Sequence, residues 1–447
     1  MPHPFPSTIA VALAVVAVGL SGVSDGKAGA ILGFRSGQDV ALRGDSRARS
    51  HPSAAAEAAD PPDTEPTSVT YTQYLNVPNL KLPGYLRVQL TDTEFTARLF
   101  LGGRLVTQIK GTLGEEKEFS TNFNDAKGAE VAYKLTLKLE QPSGQSELSG
   151  TLDLADPNAD PPVTNTVALR LRPRALDSSH AGNYTLALPP DFDGAPHPTR
   201  NQQYKVSSLS RLGKRPAAIS GIGYGLLRVS RSGTLHAVAV LADGQRVSFG
   251  GYFDSVGNVP VFTQLYKSTK RVATDEGDIH GYLGGIFRFR DRPRKTDAVA
   301  ILRWMRPSAF HGGNPIQGFS VVQPALVSRY VKVDNGLSIL DGVHDERLET
   351  EITLVDGGLR SSIDTTGTVE ADKVKGNRPD FYANFATDYG LFRGHFDHPG
   401  PHAPVNMEGV VLQKQGRAFG QFFDRFGRSG AVFIRQKPES TSSSSNQ

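Results

Sequence analysis

A hairpin phrase that returns with variation along the chain constrains the fold more than any other feature. It runs over residues 95–113 (FTARLFLGGRLVTQIKGTL), returns over 235–254 (LHAVAVLADGQRVSFGGYFD) and leaves a shorter echo over 391–397 (LFRGHFD). Each full copy is an alternating apolar run, a Gly-Gly or Asp-Gly pair that supplies the positive φ of a tight turn, and a second run closing on Gly-x-Leu/Phe. A chain built on this phrase is an assembly of β-hairpins.

The same period of two governs other segments. Tyr133, Leu135, Leu137 and Leu139 point one way while Lys134, Thr136, Lys138 and Glu140 point the other, the pattern of a strand with one face in a core and one in water. Val167, Leu169 and Leu171 against Arg170 and Arg172 repeat it. Turn residues cluster at 142–144 and 156–162, and no long stretch carries apolar residues at helical spacing. Residues 169–173 (LRLRP) and 302–307 (LRWMRP) both read as outward-arginine strands stopped by a proline that cannot continue a ladder. A meander this long must hide its edges, and closing on itself does so most economically. The prediction is an all-β fold of two consecutive antiparallel meander β-barrels, or strongly curled sandwiches. The first occupies 69–177, the second 178–437, and the boundary falls near 175–182.

Residues 9–20 (IAVALAVVAVGL) form an apolar run of signal-peptide length, short of the ~20 residues of a membrane span. With Ala28-Gly29-Ala30 behind it, 1–30 reads as a signal peptide cleaved after Ala30, and no membrane span is expected after cleavage. The stretch 31–68, rich in Ala, Pro, Asp, Ser and Arg, and the tail 438–447 have too little apolar surface to offset chain entropy and read as disordered. Cysteine is absent, so there is no disulfide framework and no acylatable thiol. A net charge of +4 on 447 residues gives no argument for nucleic acid as a partner. The expected location is periplasmic, cell-surface or extracellular.

Several phrases carry a family resemblance: 184–189 (YTLALP), 223–229 (GYGLLRV), 241–244 (LADG), the strand around Trp304, and 409–415 (GVVLQKQ) before 430–434 (GAVFI). Together they resemble an uncharacterised β-rich domain found at the C-terminus of secreted and surface proteins of verrucomicrobial and related bacteria. The resemblance covers about 85–434, with Gly284-Gly285 standing where that domain has Gly-Trp. It implies a β fold and export, and brings no activity, ligand or catalytic residue with it.

Three constellations carry chemistry. His395, Asp397, His398 and His402 place three imidazoles and a carboxylate around a Pro-Gly turn, a spacing able to wrap zinc or copper. The plainer reading, a polar loop with His395 outward on a strand, is preferred, and no metal or cofactor is predicted. Asp156, Asn158 and Asp160 alternate as in a calcium loop. Pro161 stands where the sharp turn needs glycine, so a hairpin loop accounts for them better. Residues 287–295 (FRFRDRPRK) alternate aromatic with arginine. On a strand the rings face inward and Arg288, Arg290 and Arg292 line the outside, joined by Arg303 and Arg306 from a neighbouring strand. That is the best candidate surface for an anionic ligand such as a polysaccharide or cell-envelope component, against the commoner reading of a solvated charge row.

No Gly-x-Ser-x-Gly elbow, His-Glu-x-x-His helix or phosphate loop occurs, and the Gly-rich 221–225 opens a strand instead of a helix. The sequence therefore points to a non-enzymatic secreted or surface module with a binding or structural role. A carbohydrate-active accessory or hydrolase domain is the alternative, and it requires a cleft with exposed aromatics and two facing carboxylates.

Overall fold

A computed structural model describes residues 68–77, 82–101, 104–124, 130–156, 163–175, 179–189, 219–266, 281–293, 295–306, 309–311, 314–316, 318–333, 338–340, 347–370, 372–377, 380–399 and 404–437. The expected signal peptide, the spacer 31–67 and the tail from 438 lie outside them.

Among the described residues the regular structure is antiparallel β, with a 3-10 turn at Gln413–Gln415. Alternation sets the first body. Strands β1 (Val69–Val77), β2 (Leu82–Thr91), β3 (Glu94–Leu101), β4 (Arg104–Thr112), β5 (Glu116–Asn124), β6 (Glu130–Glu140), β7 (Leu148–Asp156) and β8 (Val163–Pro173) form one sheet in the order β4-β3-β2-β1-β8-β7-β6-β5. Its two edges, β4 and β5, are consecutive in sequence, so the sheet curls until a short turn spans the seam, where Gly114 N–H donates to Leu139 O at 2.8 Å. Leu86, Leu99, Leu135, Leu137 and Leu152 fill the inside.

The second body repeats that order. Strands β9 (Gly182–Leu188), β10 (Gly223–Val229), β11 (Thr234–Val240), β12 (Arg246–Tyr252), β13 (Asn258–Leu265), β14 (Gly281–Arg292), β15 (Thr296–Arg306) and β18 (Phe319–Arg329) run β12-β11-β10-β9-β18-β15-β14-β13. A small hairpin, β16 (Ala309–His311) and β17 (Asn314–Ile316), is inserted before β18. The phrase at 95–113 lies on β3 and β4 and its second copy on β11 and β12, the third and fourth strands of their respective bodies. At the second turn Gly244 has φ +82, the left-handed backbone for which the Asp-Gly pair is suited.

The third body closes completely. Strands β19 (Arg347–Asp356), β20 (Ile363–Glu370), β21 (Lys373–Gly376), β22 (Tyr382–Ala386), β23 (Leu391–Phe396), β24 (Val405–Leu412), β25 (Arg417–Phe423) and β26 (Ser429–Gln436) meander in order, and β19 pairs with β26. Eight strands leave an interior that side chains just fill, here Ile352, Phe381, Phe392, Phe396 and Phe422.

The expectation of antiparallel β-barrels from hairpins thus meets three eight-stranded sets where two were expected: 69–173, 182–329 and 347–436. One eight-strand meander is complete by residue 173, so a stretch from 178 to 437 is long enough for two. The three pack as one compact unit, Thr64–Gln447. Tyr85 of the first body stacks on Phe262 of the second at 5.9 Å. Just past the outward-arginine strand, Arg174 lies 4.5 Å over the Tyr252 ring and donates to Ser232 O at 2.7 Å. The second and third bodies share an apolar layer of Ala187, Ile222, Leu326, Val410, Leu412 and Phe433. The Gln413–Gln415 turn clamps it: Lys414 Nζ reaches Asp297 at 2.6 Å and also bonds Asp291, while Gln413 exchanges bonds with both Val331 N–H and its carbonyl at 2.9 Å. The 409–415 phrase is therefore a docking element.

Candidate anionic-ligand site

Strand β14 puts Phe287 and Phe289 inside the second barrel and Arg288 and Arg290 outside, and Arg292 follows at the strand end, all three arginines exposed. Arg288 faces Asn258 on β13 and Val299 on β15. The pairing with β15 slips between Phe289 and Arg292. The bulge frees Asp291 from the alternation, and its carboxylate bonds Lys414. The guanidinium groups of Arg288 and Arg290 follow the ~6.6–6.8 Å repeat of alternate strand residues, and the bulge re-aims Arg292. None of the three has a carboxylate partner among the described residues.

The two arginines expected to widen this row do not. Arg303 pairs in register with Gly284, further up β14, beside Tyr74 of the first barrel. The Tyr74 hydroxyl is pushed up to about 12 by burial, an effect that the Arg303 charge partly offsets. Arg306 is half-buried, its Nη1 3.4 Å from Asp243 Oδ2 and its guanidinium 4.8 Å over the Phe319 ring. Alternation sends Arg303 outward, where docking of the first barrel claims it, and puts Arg306 on the face of Trp304, at the end of the second barrel.

Two of the three histidines lie among the described residues. His395 sits on β23 with its ring 5.8 Å from Tyr382, and His398 follows the strand beside Phe396 at 6.2 Å. Asp397 is exposed, and His402 lies outside the described residues. Among the described residues no group of three or more His, Cys, Asp or Glu is placed to hold a metal ion. Asp156 ends β7, while Asn158 and Asp160 of the calcium-like spacing lie outside the described residues.

Docking of the second barrel against the third also leaves a cleft of about 690 Å³. Tyr224 and Arg246 line one wall, and Glu408, Gln421 and the β25–β26 turn line the other. That turn is built by Asp424, whose Oδ1 accepts N–H bonds from Phe426 at 2.9 Å and Arg428 at 2.8 Å, while Oδ2 accepts Arg428 Nε at 2.7 Å. Phe426 is held out at the rim, 68% exposed, with Arg425 4.5 Å and Arg428 5.3 Å from its ring centre. Across the cleft Tyr224 donates its hydroxyl proton to Glu408, which also meets Arg393 Nε at 3.3 Å. Burial, then the bond and the charge of Glu408, push the Tyr224 hydroxyl far up, so it stays protonated. These residues come from distant parts of the chain, and only the 424–428 phrase (DRFGR), a turn-forming Asp before an arginine-flanked aromatic, hinted at them.

Burial raises the Asp424 carboxyl, but the Arg428 N–H and guanidinium and the Phe426 N–H outweigh it and hold the group below its usual range. A depressed carboxylate stabilises the fold above its unfolded-state pKa, and that contribution is lost as pH falls through the folded-state value. Asp424→Asn keeps the shape and removes the charge. It should cost about 1–2 kcal/mol near neutral pH and show a smaller loss on acidification than the wild type, read from urea midpoints across the acid range. Equal acid sensitivity in both proteins would show that Asp424 contributes no linkage.

No protein-family model matches the chain, and no curated protein matches it. Among solved structures it is similar to Transferrin Binding Protein B from Haemophilus parasuis Hp5, a vaccine antigen, with a TM-score of 0.19 and 9% identity over 83% of this chain and 76% of that one. It is similar also to intact Ap-TbpB with its N and C lobes, with a TM-score of 0.19 and 10% identity over the same shares, 83% and 76%. At that TM-score the likeness carries no argument about this chain.

Proposed function

We propose that the protein is an exported, non-enzymatic binding module of the cell surface or extracellular space, of the kind represented by the verrucomicrobial domain it resembles. Its ligand is an anionic polysaccharide or envelope component held on Arg288, Arg290 and Arg292. The observation that carries this reading is the row itself: three exposed guanidinium groups without a carboxylate partner among the described residues, on a strand anchored from behind by Phe287 and Phe289. Arg288 and Arg290 offer forked donors at strand spacing that suit successive acidic groups of a polymer, and Arg292 adds a third beyond the bulge. Outer strand positions elsewhere carry matched charges, such as Lys134 with Glu118 at 2.8 Å and Lys138 with Glu140 at 2.5 Å. A charged exterior around an apolar interior is the pattern of barrels in water, the reverse of a lipid-facing barrel.

The hydrolase alternative finds two carboxylates on the inter-barrel cleft, Glu408 and Asp424. Asp424 is unsuited to acid catalysis because the turn and Arg428 occupy both its oxygens and hold it ionised. The test is an array of acidic and neutral glycans and envelope lipids probed with the full chain. Signal on acidic members that fades with added salt is expected. Signal confined to neutral members would contradict the reading.

A further inference from the structure

We propose that the cleft between the second and third barrels is a separate binding site, for a hydroxylated carboxylate of the sugar-acid class. Its charges are unevenly matched. Glu408 is engaged by Tyr224 and Arg393, and Asp424 by Arg428 and two backbone N–H groups. Arg246 and Arg425, exposed on opposite walls, have no carboxylate partner among the described residues, and Arg425 is braced against the Phe426 ring. The unmatched charge is positive, so the cleft favours an anion, and guanidinium forks suit a carboxylate.

A second observation narrows the chemistry. Gln421 lines the cleft and is 3% exposed. Its Nε2 donates to Leu241 O at 3.2 Å, which orients the amide, and its buried Oε1 has no partner among the described residues. An orphaned buried acceptor is costly and calls for a donor. Sulfate and simple dicarboxylates offer no hydroxyl for it, and phosphate fills only a small part of the cleft. An amino acid would bring an ammonium group beside two unmatched arginines. A sugar acid supplies a carboxylate for the arginines and neutral hydroxyls for Gln421, and about 690 Å³ lies within the range of small-ligand sites. The β14 row plays no part in this site, so the two assignments stand or fall separately.

The experiment is titration calorimetry of the full chain with digalacturonate, with uncharged digalactose, and with succinate, which has carboxylates but no hydroxyl. Digalacturonate should bind best. Arg246→Gln with Arg425→Gln should weaken it on the order of a hundredfold, and Gln421→Leu about tenfold. Both are read in the Arg288→Gln, Arg290→Gln, Arg292→Gln background, so the β14 row contributes nothing to the contrast. If the double variant loses its melting transition, Arg425→Gln alone at the hairpin tip reads the same contrast. No digalacturonate binding, equal binding by the arginine variant, or equal affinity for digalactose or succinate would overturn the proposal.

Discussion

Trp304→Ala should destabilise the second barrel by about 3–5 kcal/mol, the usual cost of emptying a large aromatic site in a core. Trp304 is 0% exposed and packs edge-on against Phe319 at 4.7 Å. It also starts a polar chain at the barrel end. Its Nε1 donates to Tyr266 Oη at 3.0 Å, Tyr266 donates to Asp243 Oδ2 at 2.5 Å, and Arg306 Nη1 approaches the same oxygen at 3.4 Å. This chain ties the 241–244 turn to the barrel, so the substitution opens a cavity and loosens that turn together. Trp304→Phe keeps one aromatic ring in the core, removes the pyrrole part with its N–H, and should cost less, about 1–2 kcal/mol. Urea denaturation followed by circular dichroism measures both. Equal losses would mean that the ring's volume is not what the core needs. Trp304 is the one tryptophan of the chain, so wild-type fluorescence reports the second barrel by itself.

The third barrel should fail at Gly409. Gly409 pairs with Gly420 across β24 and β25, and the ring of Phe392 lies over both. A Cβ at Gly409 would sit 2.2 Å from Phe419 O and 2.4 Å from Phe392 Cε1. Phe392 is fully buried among core side chains, so neither neighbour can retreat without disturbing the core. Gly409→Val should therefore cost ~3 kcal/mol, at the upper end of overpacking. The 412–415 clamp lies just beyond on the same segment, so the loss should also loosen the docking of the third barrel on the second. Limited proteolysis reads this as early cleavage after residue 347. A protease-resistant variant with an unchanged urea midpoint would refute the packing account.

The barrels were legible where one strand face meets water. Leu135, Leu137 and Leu139 are buried and Lys134 is exposed as the alternation predicts, and Val167, Leu169 and Leu171 likewise face the core. The third barrel hid its separateness because docking buries both faces of its contact strands. The burial pattern of β25 is iBBBBBi and that of β26 BBBBBBii, so neither shows a clean period of two. The arginine row was legible because β14 alone creates it. Arg303 was misplaced because its environment depends on a neighbouring barrel, and Arg306 because three residues separate it from Arg303 and so put it on the Trp304 face, toward the Asp243 turn. The cleft was illegible for the same reason: Arg246, Gln421 and Arg425 meet only after two barrels dock.

A β14 row that holds a ligand differs measurably from one that is merely a solvated face. The direct measurement compares the wild type with the Arg288→Gln, Arg290→Gln, Arg292→Gln variant on immobilised dextran sulfate, an anionic polysaccharide without sugar-acid carboxylates, at low ionic strength, with melting temperatures taken in parallel. The wild type should be retained and released by salt. The variant should pass through while melting at nearly the same temperature, because exposed charges contribute little to stability. An unretained wild type, or a variant that binds as well, would contradict a ligand role for the row.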